Sequence, residues 1–136
     1  MRIMAIDYGD ARTGVAVSDK SATLVGDVFV IHSKDENNTI QLITGEAKSR
    51  GVSRIVVGYP KNMDGTIGHR AEKSGHLAEK LRNLSGLEVV LWDERMTTKS
   101  AHHILTEAGK FGKKRKKSID AVAASLILEG YLGSVK

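Results

Sequence analysis

The sequence predicts an α/β fold, a five-stranded mixed sheet with helices on both faces, and three observations carry that reading. Short apolar runs of strand length alternate with stretches whose apolar residues recur every three or four positions. The first three runs follow one another through short polar connections, as in hairpins. The later runs are separated by helix-length stretches, and right-handed crossovers of that kind bring strands back parallel to the first.

Taken in order, Ile3 to Asp7 is a buried strand, and Thr13 to Ser18 continues with Val15 and Val17 alternating against smaller residues. Tyr8-Gly9-Asp10-Ala11-Arg12 joins the two as a hairpin. Val25 to Ile31 forms a third strand, at least partly buried through Val28, Phe29, Val30 and Ile31. Apolar residues at Ile40, Ile43 and Ala47 mark a first helix that closes at Arg50-Gly51. Ser53 to Val57 is the fourth strand and ends in Gly58-Tyr59-Pro60, followed by the loop Lys61-Asn62-Met63-Asp64-Gly65-Thr66. Ala71, Leu77, Ala78 and Leu81 signal a second helix, ending near Ser85-Gly86, and Leu87 to Trp92 is the fifth strand.

Asp93-Glu94-Arg95 terminates that strand. Thr97 or Thr98 then caps a helix with apolar positions Ala101, Ile104, Leu105 and Ala108, closed by Gly109. After a basic segment, Ile119, Val122, Ala123, Leu126, Ile127 and Tyr131 trace the stripe of a final helix with Ser118 as its cap. With the fourth strand beside the first and the fifth beside the fourth, the sheet order is 3-2-1-4-5, strand 2 is antiparallel, and the ends of strands one and five share a rim.

At 136 residues and 40% hydrophobic content, the chain suits one domain over residues 1–136 with a single core. The absence of cysteine excludes a disulfide framework and a Cys-based zinc site, and points to a cytoplasmic setting. No stretch approaches the ~20 apolar residues of a membrane span, so no membrane partner is expected. The formal charge of +5 is local: without the six basic residues between Lys110 and Lys117, 15 basic residues face 16 acidic ones. That tract is either a phosphate-binding segment or a solvated loop.

Asp7, Glu94 and Asp120 lie where apolar elements end or begin, so the fold can gather them at the shared rim. Clustered carboxylates repel one another, and divalent cations neutralise them. Magnesium or manganese suits such a site. Two ions roughly 3.5–4 Å apart would be held with Asp7 bridging and Glu94 and Asp120 each completing one, an arrangement that hydrolyses phosphodiesters. Asp93 competes with Glu94, because a one-residue step at a strand end reverses the face. Singly, each acid also has an ordinary reading: a turn for Asp7, an ion pair for Glu94, and a helix N-terminus for Asp120.

Gly9 and Gly14 are spaced like the ends of a phosphate-binding loop, but Val15-Ala16 stands where that loop needs Lys and Ser or Thr. Arg12, at the hairpin tip, is either a phosphate contact or a surface arginine. The five histidines show no metal spacing. Aromatic residues make up only 4% of the chain, so binding of nucleic acid would rest on phosphates and depend strongly on salt.

Asp7-Tyr8-Gly9 with Arg12, Gly14, Val15, Ala16 and Asp19; Gly58-Tyr59-Pro60 with Asp64-Gly65-Thr66; Asp93-Glu94-Arg95-Met96-Thr97-Thr98 with Ala101; and Ile119-Asp120-Ala121 with Ala123-Ala124 together resemble the YqgF/RuvX family of bacterial ribonuclease H-like nucleases. The resemblance covers essentially the whole chain. It implies a ribonuclease H-like fold, magnesium or manganese dependence, and catalytic acids at Asp7, Glu94 (or Asp93) and Asp120. It implies that Arg12 and Arg95 lie near the substrate and that the basic stretch, with Lys113, Lys114, Arg115, Lys116 and Lys117, is a mobile substrate-binding loop. The function implied is maturation of the 5′ end of precursor 16S ribosomal RNA.

The alternative within the enzyme class is a Holliday junction resolvase acting on branched DNA, which would need a symmetric dimer. A non-catalytic nucleic-acid-binding module and a nucleotide-binding relative of sugar kinases and actin are the alternatives outside it. Expected partners are structured RNA or branched DNA and ribosomal particles, with the chain a monomer or a homodimer.

Overall fold

The computed structural model describes residues 1–94 and 119–135. Strands β1 (Arg2–Asp7), β2 (Arg12–Ser18), β3 (Val25–His32), β4 (Val52–Tyr59) and β5 (Glu88–Asp93) form one sheet in the order β3-β2-β1-β4-β5. β2 is antiparallel to both β1 and β3, while β1, β4 and β5 are mutually parallel. The helices are α1 (Glu36–Ser49), α2 (His69–Ser85) and α3 (Ile119–Ser134). The helix expected between Thr97 and Gly109 and the basic tract lie outside the described residues.

The period-2 alternation of the central strands divides the core between the two sheet faces. Met4, Ile6, Val15, Val17, Ile55 and Val57 point to one side, where Ile40, Ile43 and Ala47 of α1 and Leu77, Ala78 and Leu81 of α2 cover them. Ile3, Ala5, Ala16 and Val56 point to the other, under Ala124, Ile127, Leu128 and Leu132 of α3. β1 is therefore buried on both faces, which is why its run Ile3-Met4-Ala5-Ile6 is continuously apolar. α1 starts at Asp35, whose carboxylate accepts from the Asn38 N–H at 3.3 Å. α2 ends at Gly86, whose φ of 70° lies in the left-handed region that glycine enters without strain.

One element, α3, differs from the sequence reading in detail, whereas β3 is partly buried at the sheet edge, as expected. β3 is an edge strand: of its apolar run only Ile31 is buried, and Val28 is exposed. In α3 the packed stripe is Ala121, Ala124, Leu128 and Leu132 with Leu126 and Ile127, while Val122 and Ala123 are only half-buried. A helix that is apolar nearly all round does not announce its inward face. The choice is made by the floor beneath it, where Gly14 and Ala16 of β2 leave room for a close approach. No described helix is long and apolar enough to cross a membrane.

Candidate active site

Because β2 and β3 run opposite to one another, one rim of the sheet carries the ends of β1, β3, β4 and β5 and the start of β2. The register sets Arg12 beside His32, Asp7 opposite Gly14, and Tyr59 beside Asp93. The sequence-predicted acids therefore fall along a single edge.

Asp7 continues the alternation of Ile3 and Ala5, which places its carboxyl on the α3 side. Asp120 reaches that side from the first turn of α3. The approach depends on Gly14: a methyl group there would overlap the main-chain carbonyl of Asp120. The spacing of Gly9 and Gly14 thus serves packing at Gly14 and a tight turn at Gly9, where a side chain would collide with the Arg12 carbonyl. Arg12 Nε lies 3.5 Å from Asp120 Oδ2, so the exposed hairpin-tip arginine borders the site.

Strand parity also separates Glu94 from Asp93. Val90 and Trp92 pack against the α3 cluster and Glu94 follows in that series, whereas Asp93 follows Val89, which belongs to the opposite core. Glu94 lies over Gly58, where an added methyl group would sit 3.1 Å from its carboxyl carbon.

The electrostatics join these acids in pairs. Burial pushes Asp7 from the ordinary 3.8 up to about 6; the Arg70 guanidinium opposes the rise and the charge of Asp120 adds to it. Burial likewise pushes Glu94 from 4.5 up to about 7, with Asp7 and, more weakly, Asp93 adding to it and Arg70 opposing it. Asp7 is therefore the common neighbour of Glu94 and Asp120. Among the described residues no group of three or more acidic or histidine side chains is drawn together tightly enough to hold one metal ion. The donor set still suits hard divalent cations: it offers only carboxylate oxygens, two of them half-buried groups whose anionic forms are destabilised where they stand.

Arg70 was not singled out by the sequence reading. It stands in the first turn of α2, is exposed, and faces Asp7 and Glu94 from the side opposite α3. As one basic residue among 21 it has no motif of its own. The usable signal is positional: the loop leaving β4 starts at the rim, so the first turn of the helix that follows returns there. Arg95, Lys113, Lys114, Arg115, Lys116 and Lys117 lie outside the described residues.

Comparison with known proteins bears on the fold and the family. A protein of Halothermothrix orenii named "Putative pre-16S rRNA nuclease" is 46% identical over 132 residues, covering 97% of this chain and 94% of its own. Among solved structures, Thermus thermophilus RuvC in complex with a Holliday junction substrate superposes with a TM-score of 0.65 at 12% identity, covering 100% of this chain and 97% of that one. The fowlpox virus resolvase bound to Holliday junction DNA gives 0.61 at 12% identity over 99% of both chains. These likenesses show a ribonuclease H-like fold of the resolvase type. The sequence model of the family described as "RuvX: Holliday junction resolvase" matches residues 1–134, and the chain belongs to that family.

Proposed function

We propose that this chain is a divalent-cation-dependent nuclease that hydrolyses phosphodiester bonds in precursor 16S ribosomal RNA, trimming its 5′ end in the cytoplasm. The observation that carries this reading is the position of Asp7: a half-buried carboxylate at the end of the central strand, coupled to Glu94 on one side and to Asp120 on the other. The substrate follows the naming of relatives such as the Halothermothrix orenii protein, which this chain matches over nearly its full length.

In this reading Asp7, Glu94 and Asp120 would hold two magnesium or manganese ions, and Asp7, the neighbour of both other acids, would be needed for each. Bound cations supply neutralisation of the phosphate charge and acidify the attacking water. The residues themselves do the rest. Burial of Asp7 and Glu94 raises the cost of their bare anions, so the site is primed to exchange protons for cations as pH rises. Gly14 lets α3 bring Asp120 against β2, and Gly58 leaves room for Glu94. Arg12 shields Asp120 and stands ready to meet a phosphate oxygen at the same edge. The basic tract containing Lys113 to Lys117, together with Arg95, adds sequence-independent grip on the backbone.

The test is incubation of purified protein with a 5′-extended precursor 16S RNA fragment and with a four-way DNA junction, each with magnesium or EDTA. Magnesium-dependent shortening of the RNA, absent in Asp7→Asn, is the expected result. Paired symmetric nicks in the junction with intact RNA would favour the resolvase reading, which the family description supports. Cleavage of neither, with binding of both unchanged by Asp7→Asn and Asp120→Asn, would favour a silent binding module.

A further inference from the structure

A second cationic feature opens onto the same rim, on the side away from α3. Tyr8, Gly9 and Asp10 of the β1–β2 turn and His69, Arg70 and Lys73 of α2 line a cavity of about 240 Å³. Its charges are unequal in commitment. Lys73 Nζ is 3.0 Å from Asp10 Oδ1, so those two largely cancel. Tyr8, half-buried, contributes its ring to the cavity wall. Arg70 makes no ion pair among the described residues, although it is close enough to Asp7 and Glu94 to be felt by both.

We infer that this cavity binds a phosphate group of the nucleic-acid substrate, with Arg70 as the anchoring residue, directly beside the phosphodiester that meets Asp7. Tyr8 follows Asp7 in the chain, so a strand whose scissile phosphate lies at the carboxylates has its neighbouring phosphate within reach of the cavity. An exposed guanidinium fork matches a phosphate in shape and charge. Lys73 and Asp10 pair with each other, so an anion entering the cavity meets Arg70 as the cation that holds no ion pair among the described residues. This inference rests on the proposed nuclease reading and adds a subsite to it.

The experiment is fluorescence anisotropy of a 3′-labelled RNA oligonucleotide with the full chain in EDTA, where cleavage plays no part, across a potassium chloride series. Arg70→Ala is expected to weaken binding by about tenfold and to flatten the log–log salt slope by about 0.7, the value for one lost single-strand phosphate contact. Arg70→Lys should keep the slope and lose only part of the affinity. Lys48→Ala, an exposed charge at the far end of α1, serves as the charge-matched control and should change neither by a comparable amount. Two probes identify the phosphate's source. If it is internal, a neutral methylphosphonate at one linkage should weaken the unaltered chain and leave Arg70→Ala unaffected; if it is terminal, removing the 5′-phosphate should do so instead.

Unchanged slope and affinity in Arg70→Ala, or no measurable RNA binding by the unaltered chain at low salt, would overturn the subsite. Because binding is read without cleavage, a failed nuclease assay with these Arg70 effects intact would remove the activity and leave the subsite. A working nuclease with a silent Arg70→Ala would do the reverse.

Discussion

The two ends of this sheet treat charge in opposite ways. At the end away from the active-site rim, Arg50 is held by Asp27 at 2.6 Å and by Glu46 at 2.9 Å, and its guanidinium lies 4.5 Å above the Phe29 ring. Its charge is matched, and the pairing raises its proton affinity, chiefly through the hydrogen bonds to Glu46 and Asp27. At the rim, Asp7 and Glu94 are half-buried beside each other, and among the described residues Arg70 is the cation that pulls against their neutralisation. One end satisfies its charges for stability. The other gathers half-buried carboxylates whose anionic forms burial disfavours, which costs stability and makes a cation welcome.

The sharpest way to break this contrast is at Asp7. Asp7→Asn should cut cleavage by more than the ~10–100-fold that losing a partner outside the ligand set costs, measured as initial rate on precursor RNA with magnesium. Stability should move the other way. A carboxyl whose folded pKa is raised binds protons in the native state that the unfolded chain has already released, so stability falls as pH climbs from about 4 to about 7 through the shifted values of Asp7 and Glu94. In cation-free buffer at pH 8, Asp7→Asn and Glu94→Gln should each raise stability, by at most ~3 kcal/mol. At pH 3 the gain should vanish, and denaturant melts at both pH values check it. The same protons oppose cation binding, so cleavage by the unaltered chain should drop as pH falls below about 7.

Gly14→Ala attacks the geometry instead of the charge. Its methyl group would overlap the Asp120 carbonyl, so the start of α3 must shift; a loss of ~1–3 kcal/mol is expected for such overpacking. Cleavage should fall further than stability explains, because Asp120 moves with the helix. The smallest effect belongs to the satisfied end. Asp27→Ala leaves Arg50 paired with Glu46 and should cost no more than ~1 kcal/mol, with cleavage rates unchanged.

Much of this was legible in the sequence. The continuous apolar runs of β1 and β4 announced central strands, and the alternation of helix-length and strand-length stretches announced the parallel half of the sheet. Asp7 at the end of the first run and Asp120 at the start of the last helix were visible as placed acids. The Glu94–Asp93 ambiguity is a matter of strand parity, which needs the register of Val90 and Trp92 against α3 to decide. The role of Gly14 was hidden because its partner is a backbone carbonyl more than a hundred residues later, and no local pattern encodes such a contact. Arg70 was hidden among other basic residues for a similar reason: only the return of the β4–α2 loop to the rim distinguishes it. The inward face of α3 was misread because its composition is apolar on several sides, and the small residues of β2 make the selection.

The most direct test of the shared-carboxylate account is manganese binding to the full chain at pH 8, followed by electron paramagnetic resonance. The account predicts about two ions for the unaltered chain, one each for Glu94→Gln and Asp120→Asn, and none for Asp7→Asn. Equal manganese binding by Asp7→Asn and the unaltered chain would contradict it.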